Sequence, residues 1–207
     1  MAKTTAKSPA ASSTGLVHVK VTLQYIRPPI WRRLRLPDTM DLTDLSDVIQ
    51  AAMGWHGGHL HAFEIGGEEF GDPSMIDFAR NEREVTIKSL LRDRVSRFGY
   101  TYDFGDSWEH DILIEKKGPP ADAAREPACV AGQRNCPPED CGGPPGYDAL
   151  IQALADPENP ESREVLEWAD EDYDPEEFSL DAANNRVRAA AGFRRQRDPM
   201  RTLRSAG

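Results

Sequence analysis

The chain is poor in cysteine and has no long apolar run. It carries 3 cysteines in 207 residues, a small and odd number that predicts reduced thiols rather than a disulfide framework. No apolar segment reaches the roughly 18–20 residues that a membrane-spanning helix needs. Residues 1–15 are polar and basic without an apolar core, which excludes a secretory signal. These absences predict a cytoplasmic protein with no membrane segment, in which residues 1–15 form a disordered leader.

The motifs of several common enzyme classes are also missing. The sequence has no glycine-rich phosphate loop, no G-x-S-x-G nucleophile elbow and no paired CxxC motifs. No pattern fixes two carboxylates at the separation that glycoside hydrolysis requires. We therefore favour a non-enzymatic domain that binds a protein partner, with a metal-dependent enzyme as the alternative.

Charge is unevenly distributed along the chain, whose formal net charge is -10. Residues 156–177 hold eleven acidic residues against Arg163 alone, whereas residues 186–207 hold seven arginines against Asp198 alone. An acidic protein is a poor general binder of nucleic acid, because neutralised phosphates supply most non-specific affinity. A second basic segment, residues 27–35, interleaves four arginines with Trp31. Both basic segments, the arginine-rich tail and residues 27–35, are open to two interpretations: they contact nucleic acid, or, as we favour, they pair with the acidic segment.

Periodicity predicts an α+β fold. Alternating apolar residues predict strands over residues 17–26 and in IWRRLRL, with an interruption at Pro28 and Pro29. Helical spacing in DLTDLSDVIQAAMGW predicts an amphipathic helix capped by Asp41 and ended by Gly54. HLHAFEIGGEEFG and FGYTYDFGDSWEHDILIE read as hairpins, and TIKSLLRD reads as a short helix that Thr86 caps.

Helices are expected to close the fold. We interpret the cysteine segment as irregular, followed by a helix in GYDALIQALADP. Two more helices are predicted to start at Asn159-Pro160 and at Asp174-Pro175. The sequence therefore predicts a mixed or antiparallel sheet with an early amphipathic helix and a C-terminal helical group. Residues 16–188 form the predicted single domain, and residues 189–207 a basic, flexible tail.

The cysteines are one candidate metal site. Cys129, Cys136 and Cys141 are spaced C-x6-C and C-x4-C, and the second spacing is typical of zinc ligands. A tetrahedral zinc needs a fourth ligand, for which His110, Glu139 and Asp140 are the nearest in sequence. The candidate zinc set is therefore Cys129, Cys136, Cys141 and His110. The alternative is a loop made rigid by proline and glycine, whose thiols pack into the domain.

The histidines are a second candidate metal site. On the predicted strand HLHAFEI, His59 and His61 share one face, and His110 lies on another predicted strand. Catalytic zinc uses such sets and leaves its fourth position to water. The alternative function is thus a zinc-dependent hydrolase built on His59, His61 and His110, with Asp103 as a further ligand. The competing interpretation is that these histidines are buried in the core, since both faces also carry branched apolar and aromatic side chains.

Five strings in order along the chain carry a family resemblance: RPPIWRRLRLP, AAMGW, HLHAFEI, FGYTYDFGDSWEH and CPPEDCGGPPGY. They resemble the plasmid pRiA4b ORF-3-like family from about residue 17 to residue 187. His56 is a departure, because a polar residue is usual there. The resemblance implies a compact α+β domain of bacteria and archaea, found in some cases on plasmids or transposable elements, with no settled biochemical activity. The chain lacks the nucleophilic serine setting and the helix-turn-helix that a recombinase requires.

Overall fold

The computed structural model describes residues 15–116, 118–120, 123–169 and 172–197. Its strands are β1 (Leu16–Leu23), β2 (Trp31–Pro37), β3 (His61–Ile65), β4 (Glu68–Gly71), β5 (Arg80–Asn81), β6 (Arg97–Tyr102), β7 (Trp108–Ile114) and β8 (Ala128–Gln133). Its α-helices are α1 (Leu42–Met53), α2 (Ile87–Arg92), α3 (Gly143–Ala155), α4 (Ser162–Trp168) and α5 (Leu180–Arg197), and a 3-10 turn spans Glu82–Glu84.

One sheet contains all eight strands, in the order β5-β4-β3-β6-β7-β1-β2-β8. Neighbouring strands are antiparallel except β4 and β5, which are parallel. The sheet is therefore mixed, with α1 entering after the second strand and helices closing the chain. This confirms the predicted α+β class.

The core lies on one face of this sheet. In β1 every second residue is buried, from Val17 to Leu23, as strand alternation requires. The apolar stripe of α1, with Leu45 and Ile49, joins the same cluster, as do Ala183 and Val187 of α5. Each fully buried Val, Leu or Ile side chain contributes roughly 1.5–3 kcal/mol. The opposite face of the central strands carries half-buried polar and charged side chains.

The predicted helix ends of α1 are confirmed. The Asp41 side chain accepts a hydrogen bond of 2.9 Å from the Asp44 amide, and Gly54 ends the helix at φ 113, a conformation that favours glycine. Thr86 caps α2 in a capping box with Ser89. Because Gly54 turns the chain at this point, the loop that follows α1 lies over the end of the sheet.

Three predicted elements differ from the structure. Residues 128–133 form β8, not irregular chain. The helix predicted from Asn159 begins instead at Ser162, since the Asn159 side chain accepts from the Glu161 amide in a turn. The helix predicted from Asp174 begins at Leu180, since Asp174 accepts from the Glu176 amide in the same way. In both cases the capping side chain closes a short turn before the helix.

The ends of the predicted domain lie at the margins of the described chain. Helix α5 continues through Arg197, past residue 188. Residues 1–14 and 198–207 lie outside the described residues. Among the described helices, none combines the length and the apolar character needed to cross a bilayer.

Candidate metal centre

The turn between β6 and β7 holds Asp103 in a fixed orientation. Asp103 has φ 55 and is buried, and its Oδ1 atom accepts a hydrogen bond of 2.9 Å from the Gly105 amide. Its own amide donates to the Leu60 carbonyl at 2.8 Å. With Oδ1 engaged in the turn, Oδ2 is the oxygen that faces His59, 3.4 Å from Nδ1.

The loop over residues 54–60 places His59 beside this turn. Trp55 stacks on Tyr102 with ring centroids 4.9 Å apart, and its indole N–H donates to the Pro137 carbonyl at 3.0 Å. The ring of His59 stands edge-on to Tyr102 at 5.7 Å. The prediction that His59 and His61 share a strand face is wrong, because β3 begins at His61 and His59 lies in the loop before it.

The cysteine loop, residues 134–142, completes the cluster. Tyr102 donates a hydrogen bond of 2.6 Å to Glu139, and the Gly142 amide donates to Asp106 at 3.2 Å. Gly143 has φ 67, and a Cβ atom there would lie 2.3 Å from the Asp106 carbonyl oxygen. Only glycine permits this approach. This close approach packs the cysteine loop against the β6–β7 turn. The packing places Asp140 next to His59.

These three segments form one candidate ligand set, His59, Asp103 and Asp140. One nitrogen and one oxygen from each carboxylate all lie within 4.8 Å of one another. The two ring nitrogens of His59 each face an aspartate at 3.4 Å, Nδ1 towards Asp103 and Nε2 towards Asp140. Asp103 is largely buried while the Asp140 side chain is 74% exposed. Asp103 is therefore the buried and fixed carboxylate of the set, and Asp140 is the exposed carboxylate whose side chain can move.

Glu139 borders the set as an ionised carboxylate. It accepts from Tyr102 through Oε1 and from the amide of His56 through Oε2, which is also 2.6 Å from Nδ1 of His56. Partial burial acts to raise the pKa of Glu139, but these hydrogen bonds outweigh it and lower that pKa. The region around His59 is consequently rich in negative charge, which favours a cation.

A cleft of about 210 Å³ opens beside the set, with His59 in its wall. Its acidic lining residues are Asp47, Asp72 and Glu82, and Arg83 is a basic one. Nε2 of His61 lies 2.9 Å from Glu82, a buried carboxylate that also accepts from the Thr43 hydroxyl at 2.9 Å. The cleft thus contains an imidazole oriented by a carboxylate. Glu82 and its role were not predicted, because no sequence spacing links it to His61.

The structure does not bring the predicted cysteine set together. Cys129, Cys136 and Cys141 are all buried, but across the described residues they and His110 do not form a group within ligand distance. Burial raises the pKa of Cys136 to about 12, and that of Cys141 to about 12. The buried guanidinium of Arg32 interacts electrostatically with Cys136 and Cys129, which disfavours a cation beside these thiols. The observed burial agrees with the interpretation of a structural loop.

The structure likewise separates the predicted histidine set. His110 is fully buried on the core face of β7, between Trp55 at 5.4 Å and Tyr100 at 5.4 Å. Burial lowers its pKa to about 4, so it is neutral at pH 7. His61 faces Glu82 in the cleft, whereas His59 faces Asp103 and Asp140. Of the sequence candidates, His59, Asp103 and Asp140 are therefore brought together, whereas the sequence pattern pairs Asp140 only with the thiols.

The basic segment, residues 27–35, also differs from expectation. In the described chain the carboxylate that binds Arg33 is Glu115, with contacts of 2.9–3.1 Å. Arg32 instead donates to the carbonyls of Ala52, Trp31 and Gln133. The acidic segment instead pairs with Arg134, the residue after β8, which donates a hydrogen bond of 2.8 Å to Glu176.

Comparison with known proteins gives one consistent result. The family model described as plasmid pRiA4b ORF-3-like protein matches residues 16–182. An uncharacterised protein of Sinorhizobium fredii, y4hQ, is 40% identical over 176 residues, which are 83% of this chain and 90% of that protein. A solved structure of a protein of unknown function from Methanosarcina mazei Go1 matches with a TM-score of 0.73 and 34% identity, covering 80% of this chain and 96% of that chain.

Proposed function

We propose that this chain, which belongs to the plasmid pRiA4b ORF-3-like family, binds a divalent metal ion at His59, Asp103 and Asp140 and uses it for hydrolysis in the adjacent cleft. The observation that carries the proposal is the convergence of these three ligand atoms within 4.8 Å. The proposed function is the metal-dependent hydrolase that the sequence analysis gave as its alternative. Its ligand set differs, because Asp103 and Asp140 take the places expected for His61 and His110.

The ligand chemistry supports zinc or manganese. Imidazole nitrogen and carboxylate oxygen both bind Zn²⁺ at about 2.0–2.2 Å, and added carboxylates also suit Mn²⁺. Ligand atoms 3.4 Å apart, as in the His59–Asp103 pair, match the edge of a tetrahedron with bonds of that length. An ion between Nδ1 of His59 and Oδ2 of Asp103 would be reached by Asp140 only after its exposed side chain turns away from Nε2, the nitrogen that it faces in this structure. Three protein ligands leave a position for water, whose pKa a catalytic zinc lowers to about 7.

The cleft supports the hydrolytic part of the proposal. His61 lies in its wall, and Glu82 holds the imidazole through Nε2 at 2.9 Å. A histidine oriented by a buried carboxylate has the geometry of a general acid or base. His59 lines the same cleft as His61, so a substrate in the cleft would lie beside one residue of the proposed metal set and beside the His61 imidazole.

Metal binding to purified variants tests the first part. Calorimetry with Zn²⁺ or Mn²⁺ should give about one ion per chain for the wild type, and at least tenfold weaker binding for His59→Gln and for Asp103→Asn. The matched controls are His18→Gln and Asp93→Asn, which make the same chemical changes away from the site. Unchanged affinity in the site variants, or equal loss in the controls, would reject the site.

Activity tests the second part. The metal-loaded protein should hydrolyse at least one chromogenic phosphate ester, carboxylic ester or amide faster than the Asp103→Asn variant. His61→Gln should retain the ion but lower the rate at least tenfold. If the loaded wild type and Asp103→Asn give the same rate with every substrate class, the protein binds metal without catalysing hydrolysis.

A partner-binding role without catalysis is the second candidate function. It is favoured by residues 72–79, which expose Met75 and Phe78 to solvent; the Phe78 side chain is fully exposed at φ 67. Exposed apolar side chains mark contacts with another protein when they form one patch, which Met75 and Phe78, three residues apart in one short segment, would contribute to. A photo-crosslinking amino acid at Phe78 should join a protein partner in cells, and the same group at Leu91 should not. Equal crosslinking at both positions would remove this candidate.

A further inference from the structure

The outer face of β1 and β2 carries a compact group of basic side chains around one tryptophan. This basic face consists of His18 and Lys20 on β1 and of Trp31, Arg33 and Arg35 on β2, all half-buried. In the strand register His18 lies opposite Arg35, and Lys20 lies opposite Arg33. Like charges directly opposite each other destabilise a sheet. The pairing of Lys20 with Arg33 is therefore unfavourable unless an anion lies over it.

Among the described residues, the carboxylate that binds this face is that of Glu115. Glu115 binds Arg33 and lies 4.0 Å from Nδ1 of His18. Across the described residues, neither Lys20 nor Arg35 has a carboxylate within ion-pair distance, and the buried Nε atom of Arg35 has no hydrogen-bond partner. Within the described part of the chain, three permanent cations thus have one carboxylate, that of Glu115, within ion-pair distance, in a protein whose net charge is -10.

Trp31 adds a flat apolar surface among these cations. Nζ of Lys20 lies 5.0 Å from the Trp31 ring centroid, and Cζ of Arg33 lies 5.4 Å from it. Edge strand β8 flanks them with uncharged residues, since Ala131 is opposite Arg33 and Gln133 is opposite Trp31. The indole N–H donates to the Gln133 side chain at 3.2 Å, which fixes the plane of the ring. An aromatic ring on a sheet face beside cations is the arrangement on which single-stranded nucleic acids stack their bases.

We propose that this basic face binds a short stretch of single-stranded nucleic acid, with a base stacked on Trp31 and phosphates held by Lys20, Arg33 and Arg35. Arg33 and Arg35 are two residues apart on one strand, about 6.6 Å along it, so the face spans two or three nucleotides. An acidic peptide would satisfy the charges but would leave the tryptophan unused, which is why nucleic acid is preferred. The proposal is independent of the metal centre, which lies at another part of the sheet.

Fluorescence anisotropy with labelled twelve-nucleotide DNA and RNA strands, in EDTA at low salt, tests the proposal. The wild type should bind, and Lys20→Gln and Arg35→Gln should each weaken binding at least fivefold. Lys88→Gln and Arg92→Gln remove the same charge elsewhere and should change it less than twofold. Trp31→Leu keeps the charge and should weaken binding roughly tenfold, in line with the loss of a stacked base. Raised salt should weaken the wild type more steeply than Arg35→Gln.

Intrinsic fluorescence gives a second readout. Trp31 is half-buried on this face, so a strand stacked on it should quench part of the emission, and Trp31→Phe should abolish that part of the quenching. No binding at low salt, or equal loss in the Lys88 and Arg92 controls, would overturn the proposal. Competition by poly-glutamate as effective as by the oligonucleotide would overturn it in favour of an acidic protein partner. Asp103→Asn should bind the strand normally, which separates this test from that of the metal centre.

Discussion

The hydroxyl of Tyr102 donates a 2.6 Å hydrogen bond to Oε1 of Glu139 and so joins the end of β6 to the cysteine loop. The same phenol ring stacks on Trp55 and stands edge-on to His59. One side chain therefore orients His59, the histidine of the proposed metal site, and anchors the loop that carries the next residue, Asp140. Groups that hold ligands in this way commonly affect metal affinity by 10- to 100-fold.

Removing that hydroxyl should weaken metal binding without unfolding the protein. Tyr102→Phe retains the ring contacts but removes one of the hydrogen-bond donors of Glu139, so the loop that carries Asp140 loses one of its anchors to β6. We expect about tenfold weaker metal affinity by calorimetry, with a loss of about 1–2 kcal/mol in the free energy of unfolding. Tyr100→Phe is the matched control, since its hydroxyl contacts Ser46 and Gln50 away from the site. Wild-type affinity in Tyr102→Phe would show that the loop is positioned by other contacts.

Two adjacent arginines on β2 should differ greatly in their contribution to stability. Arg32 is buried in the core, donates to three backbone carbonyls and lies 4.5 Å from the Phe178 ring. Arg32→Ala leaves those carbonyls unsatisfied and should cost about 3 kcal/mol or more. Arg33 lies on the opposite, half-exposed face, and Arg33→Ala should cost about 1 kcal/mol or less. Urea unfolding measures both, and equal costs would contradict the assigned faces.

The buried His110 should make the protein acid-sensitive. Burial lowers its pKa from 6.5 to about 4, so between these values the unfolded chain binds a proton that the folded protein does not. The contribution of the neutral His110 to stability is therefore fully present above pH 6.5. It is lost as the pH falls towards 4, which lowers the free energy of unfolding by up to about 3 kcal/mol. In His110→Phe this part of the pH dependence should disappear. Urea unfolding at pH 7 and pH 4.5 measures it, and identical pH profiles for the two proteins would contradict a buried neutral imidazole.

The cysteines should be unreactive in the folded protein. All three are buried, and burial raises the pKa of both Cys136 and Cys141 to about 12, which suppresses the reactive thiolate. At pH 8 a thiol reagent should label none of them in native protein and all three in denaturant. Cys136→Ser and Cys141→Ser should also retain the bound metal. Loss of the ion in these variants would place the metal at the thiols instead of at His59.

Sequence patterns correctly predicted the elements that are determined by residues close together in the chain. Alternation gave the buried face of β1, and the caps Asp41, Gly54 and Thr86 were identified from residue type and spacing. Two later caps were misassigned because an Asx side chain can close a turn as readily as it starts a helix. Strand β8 was missed because its small residues show no alternation, and its pairing with β2 is a long-range interaction.

The sequence alone determined the α+β class, the family, and which residues carried chemistry worth testing, since periodicity and unusual strings are properties of the chain itself. Only the tertiary structure decided which of these residues meet. Alternation assigns a side chain to a face but gives no distance, so it placed His110 with the metal candidates although the packing of Trp55 buries it. The meeting of His59 with Asp103 and Asp140 depends on a left-handed turn and on the close approach of Gly143 to Asp106, contacts between segments far apart in sequence that no local pattern encodes.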